Sequence, residues 1–195
     1  MNEFYYFPTI IYRDERPEWV DYINKISDKY FLETDFVLNQ TRCMKDELDL
    51  KFFIEYLLTS SENVLKRQGY FTEKYDFCLN TIWGQEIRSS GGTNVHLHKN
   101  SQLCGWYFLE APEKGSYPIY YDTRSNKQMI ELDFMQEEEI TNATSMIHFN
   151  NVIPGTVLLS NSWVQHQLSI NMSEKMTKVI HFIISHKEKQ TCSIC

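Results

Sequence analysis

The chain is 195 residues long, 42% apolar and 23% charged, the composition of a globular protein and not of a disordered one. Its net charge of -7 and pI near 5.4 argue against a nucleic-acid binder, because phosphate contact needs a basic footprint. No apolar run approaches the roughly 20 residues of a membrane span, and the first residues carry Glu3 where a signal peptide would be basic.

These bounds lead us to expect one cytoplasmic domain. It divides into an edge strand and two helices over 1–69, a β-barrel over 70–186 and a polar tail over 187–195. Residues 4–12 (FYYFPTIIY) are β-rich around Pro8 and read as an edge strand or two short pieces, open to pairing across a homodimer. Pro17 opens a helix in which Val20, Ile23, Ile26 and Tyr30 recur at helical spacing. A second helix over 46–68 presents Leu50, Phe53, Ile54, Leu57, Leu58, Val64 and Leu65, and Gly69 is its C-cap. Lys66 and Arg67 complement the dipole at that end.

From Tyr70 onward the period changes to that of short strands, in keeping with an aromatic share of 14%. The expected strands are 75–82, 93–98, 103–109, 118–121, 145–149, 156–159, 164–170 and 178–185. Turn signals separate several of them, among them Gly91-Gly92, Pro154-Gly155 and Asn150-Asn151. Many short strands after two helices predict a closed or sandwiched antiparallel barrel packed on a helical layer. Residues 131–142, with three consecutive glutamates, read as a long loop or lid. The five cysteines form no paired framework and fit a reducing compartment. Cys192 and Cys195 belong to a frayed tail more simply than to a prenylation box or half a zinc site.

Chemistry concentrates in two segments. In Asn94-Val-His96-Leu-His98 the two histidines share one face if the segment is a strand, so both can approach one metal. In residues 154–166 (PGTVLLSNSWVQH) a buried strand and a turn deliver His166 into the next strand. In a jelly-roll barrel such segments meet at the mouth, giving three nitrogens on one face of a metal with the remaining positions open. His148 and His181 lie on apolar strands and read as core histidines. Trp106, Tyr107 and Phe108 read as core with a ring or two on the pocket side, and Trp83, Gln85 and Trp163 could frame its mouth. Asn100, Ser101 and Gln102 either orient a ligand or satisfy the turn after the histidine strand. No nucleophile elbow, phosphate loop or zinc ribbon is present.

Residues 92–124 and 154–182 resemble the 2-oxoglutarate–Fe(II) oxygenase family of marine bacteria and their phages. The features that match are His96-x-His98, the strand Cys104-Gly-Trp-Tyr-Phe-Leu109, Asp122-Thr-Arg124 and Ser162-Trp-x-x-His166. The resemblance implies a double-stranded β-helix (a jelly-roll, cupin-like barrel) using Fe(II) and 2-oxoglutarate to hydroxylate a small-molecule or peptide substrate. By position His96 is the proximal and His166 the distal metal ligand. His98 stands where the wider class carries a carboxylate, so the third position is open between His98, Asp122 and water or cosubstrate. For the distal carboxylate of 2-oxoglutarate the chain offers Lys178 where the family carries arginine, with Arg124 as the alternative. Two further readings stay open: a three-histidine cupin-type dioxygenase without 2-oxoglutarate, with Gln102 near the place of a cupin glutamate, and a non-catalytic structural or sugar-binding barrel.

Overall fold

The computed structural model describes residues 7–124 and 144–189. The expected loop over 131–142 and the cysteines of the tail lie outside the described residues. Near the N-terminus Pro17–Trp19 forms a 3-10 turn that runs into α1, Val20–Asp28. A second 3-10 turn at Leu48–Leu50 leads into α2, Lys51–Arg67. Gly69 follows at φ 92°, the left-handed conformation that a side chain resists and a helix stop requires.

Among the described residues nine strands occur in chain order: β1 Ile11–Glu15, β2 Leu38–Gln40, β3 Tyr75–Ile87, β4 Leu103–Glu110, β5 Pro118–Tyr121, β6 Met146–His148, β7 Thr156–Asn161, β8 His166–Leu168 and β9 Thr177–Glu188. They form an antiparallel sheet in the order β1-β7-β4-β9-β3-β2, and a smaller one in the order β6-β5-β8. Two such sheets closing on one another, backed by helices, make a mainly β double-stranded β-helix.

The alternation of β4 and β9 explains how one large sheet serves two cores. Leu103, Tyr107, Leu109, Ile180, Phe182 and Ile184 face the helices and pack with Ile23, Ile26, Phe53 and Leu57. Trp106, Phe108 and Val179 face the small sheet and pack with Tyr120, Leu158, Val164 and Leu168. β4 is consequently buried along both faces, which is why its sequence is a continuous apolar run without visible period.

Two expectations shift and one strand was not anticipated. The N-terminal edge strand is β1, Ile11–Glu15, a few residues later than its apolar run. Its ion pairs Arg13–Glu15 and Arg16–Asp14 supply the charge that blunts an unpaired edge. β2, with Asn39 and Gln40, lacks the alternation that would betray it. Residues 93–98 form a single β-bridge, His96 to His166, in place of a strand. They still run beside residues 162–168, through His98 N–H to Ser162 O and Thr93 N–H to Leu168 O.

Candidate metal centre

The bridge between His96 and His166 is made by reciprocal backbone bonds of 3.0 Å, N–H of each to the carbonyl of the other. It brings residues 70 positions apart side by side, with ring centroids 4.6 Å apart. His98 is carried to the same place by its own backbone bond to Ser162. The fourth ring comes from the large sheet: His181 on β9 pairs across the ladder with Trp83 of β3 and Trp106 of β4. The ligand atoms of His96, His98, His166 and His181 all lie within 4.8 Å of one another.

Local chemistry fixes how three of these rings point. The Nδ1–H of His96 donates to Asn94 O at 2.7 Å, that of His166 to Val164 O at 2.7 Å, and that of His181 to Gly105 O at 2.9 Å. A carbonyl can only accept, so each of these nitrogens carries the proton and each Nε2 keeps its lone pair. His98 Nε2 sits 3.2 Å from Nε2 of His166 and 3.0 Å from Nε2 of His181. Two imidazoles on one first-row metal, with bonds of about 2.0–2.1 Å, stand roughly 2.9–3.4 Å apart when adjacent. The two spacings fit adjacent imidazoles on one first-row ion, and imidazole donors suit iron as they do nickel, copper and zinc.

The surroundings favour the neutral form of His98, His166 and His181. Burial, reinforced by the neighbouring imidazoles, pulls His166 down to about 3 and His98 to about 4, and holds His181 well below its ordinary range. Trp106 stands edge-on to His166 at 5.1 Å and stacks on His181 at 5.2 Å, while Trp83 meets His181 edge-on at 4.4 Å. Val95, Leu97 and Trp163, chain neighbours of these histidines, are 47%, 41% and 49% exposed.

Of the other residues singled out by sequence, Asp122 is not among the grouped ligands. Its carboxylate takes Nε and Nη2 of Arg124 at 3.0 and 2.6 Å. Lys178 is not brought to the cluster. Its ammonium is paired with Asp28 of α1 and, at 3.7 Å, with Glu86, under the ring of Phe31. The reason is parity: residues 178 and 181 are three apart on a strand, so their side chains take opposite faces. Asn100 and Ser101 serve the turn, Asn100 at φ 56° and Ser101 Oγ–H donating to His98 O. His148 is exposed on β6 beside Tyr117. His181, expected from the sequence to be a core histidine, is brought into the cluster. Parity alone carries no signal for it, since it only sets Lys178 and His181 on opposite faces; the ladder that puts Trp83 and Trp106 beside His181 decides which face is which.

A helix-backed double-stranded β-helix with imidazoles converging on one point is the scaffold of a non-haem metal oxygenase. The chain belongs to the family described as "Putative 2OG-Fe(II) oxygenase", which matches residues 81–182. That family's metal is Fe(II) and its cosubstrate 2-oxoglutarate. No curated protein matches the sequence. Among solved structures, the chain is similar to a 2OG-Fe(II) oxygenase-family oxidoreductase from Burkholderia pseudomallei, at 10% identity and a TM-score of 0.58 over 85% of this chain and 77% of that one. It is also similar to a prolyl-4-hydroxylase from Pseudomonas putida, at 8% identity and 0.60 over 91% and 93%. A third is HygX from Streptomyces hygroscopicus, crystallised with nickel and 2-oxoglutarate, at 12% identity and 0.57 over 91% and 83%. At these identities the likeness is one of fold.

Proposed function

We propose that the protein is a hydroxylase of a small-molecule or peptide substrate, with iron held by His96, His166 and His98. The observation that carries the reading is the convergence of Nε2 lone pairs from distant segments on one point. Bound iron supplies the oxidation: 2-oxoglutarate gives succinate and CO2, one atom of O2 entering succinate and the other the substrate.

The chain's own residues do the rest. Asn94 O and Val164 O hold His96 and His166 in the ligating tautomer and orientation. Trp106 walls the inner side and keeps water from it. Neutral imidazoles leave the ion its full positive charge, which strengthens its hold on an anionic cosubstrate. Of the two cations, Lys178 is held by Asp28 and Glu86, and Arg124, which follows the strand that pairs with His166, would exchange its Asp122 partner for the distal carboxylate; we assign Arg124 to that role.

The test is aerobic incubation of Fe(II)-loaded protein with 2-oxoglutarate, following succinate and O2 together. Slow succinate formation matched by O2 uptake, abolished in His166→Ala, is the expected result. The all-imidazole donor set favours one second reading, a dioxygenase that needs no 2-oxoglutarate. O2 uptake with an organic substrate but no succinate would establish that alternative.

A further inference from the structure

The geometry points to His181 as a metal ligand: we propose that His96, His166 and His181 form the fixed triad and that His98 is the exchangeable fourth imidazole. The inference rests on the metal-binding reading above and assigns its roles differently.

The argument is a proton count. Three Nδ1–H groups are committed to Asn94 O, Val164 O and Gly105 O, so Nε2 of His96, His166 and His181 are all acceptors. The donor that faces them is His98 Nε2, which lies within reach of His166 and His181 at 3.2 and 3.0 Å. It can carry one proton, which satisfies one lone pair and orphans the other. A histidine that merely filled the core between Trp83 and Trp106 would aim its second nitrogen at a donor or at nothing polar. His181 is buried at 1% exposure and aims it at a single donor for which His166 also competes. A cation satisfies every lone pair at once.

The same bonds rank the four rings. Metal-bound histidines characteristically donate their other N–H to a carbonyl or carboxylate, which sets tautomer and angle. His96, His166 and His181 have that clamp. Among the described residues nothing holds Nδ1 of His98, which hangs from the exposed segment between Leu97 and Lys99. Four imidazoles would occupy four of the six positions of an octahedral ion. A two-point cosubstrate takes two more, and a further ligand needs one of the four to leave. His98 is the ring that can turn away without breaking a ring–backbone bond.

The test uses the spin-active isotope of cadmium as the probe ion on the wild-type chain, reading metal-to-ring-proton couplings by NMR. Couplings to His181 together with His96 and His166 are the expected result. Couplings to His96, His98 and His166 without His181 would overturn this inference and leave the metal-binding reading standing. No cadmium binding at all would overturn both. A second arm compares Ni(II) affinity in two variants whose folding is checked by circular dichroism. His181→Asn keeps an amide N–H where Nδ1 donates to Gly105 O and removes Nε2. Losing an outer partner costs about 10- to 100-fold in affinity, so His181→Asn should cost more than about 100-fold and His98→Asn less than about 10-fold. The reverse order would contradict the assignment.

Discussion

Burial acts on His98, His166 and His181 in one direction, and the sign of its effect on stability can be worked out. Their folded-state values fall, to about 4 for His98, about 3 for His166 and well below the usual value for His181, against an ordinary 6.5. As pH drops through 6.5 the unfolded chain takes up protons that the folded chain refuses, so stability is full above that pH and declines toward pH 4. The metal-free protein should therefore show a falling urea midpoint between pH 6.5 and 4, and His166→Gln should flatten that slope. Lys178 is a second case. With its side chain 3% exposed between Asp28 and Glu86, it ties β9 to α1 and β3. Lys178→Met should lower stability by about 1–3 kcal/mol, since it leaves the Glu86 carboxylate without its cation and with Asn39 Nδ2–H as its remaining partner. It should leave the KM for 2-oxoglutarate within about twofold; a large rise in KM at unchanged stability would restore Lys178 to the cosubstrate site. His96, His98 and His166 were legible because spacing and flanking motif mark them. His181 was not, because a lone histidine on an apolar strand looks the same whether it packs or binds until the ladder sets Trp83 and Trp106 beside it.

At the scale of elements, β4 is where packing and site depend on the same residue. Gly105 lies between β7 and β9, and a Cβ there would come within 2.0 Å of Leu158 O and 2.7 Å of Phe182 Cζ. The first neighbour is backbone and cannot swing away. Gly105→Ala should cost about 1–3 kcal/mol or more through overpacking, and because Gly105 O orients His181 it should also weaken metal binding. An unchanged thermal midpoint would contradict this. Both helices and most strands could be read from their periods. The segment over 93–98 was misread as a strand because its alternation places the histidines correctly while Gly91 and Gly92, just before it, are packed against backbone at Val37 and Ser169–Ile170. β2 was missed because three residues with two polar side chains carry no period.

At the scale of the whole molecule, the centre ties the two sheets together. His166 belongs to the small sheet, His181 to the large one, and His96 and His98 to the segment beside them. An ion bound there cross-links layers otherwise held by apolar contact. Saturation at a hundredfold excess over Kd should add about 2.7 kcal/mol to unfolding, seen as a rise in thermal midpoint with Ni(II) that the His166→Ala variant lacks. No helix among the described residues is long and apolar enough to cross a membrane. The fold could be anticipated because two helices and a train of short strands admit few layered arrangements. Which strand faces brought histidines together was set by register, and register is a property of the assembled sheet. The most direct measurement is equilibrium dialysis of the folded chain against Fe(II) under anaerobic conditions, with metal counted per chain. One iron per wild-type chain and none retained by His166→Ala is the predicted result. Equal retention by both, or none by either, would contradict a centre built from imidazoles brought together by the fold.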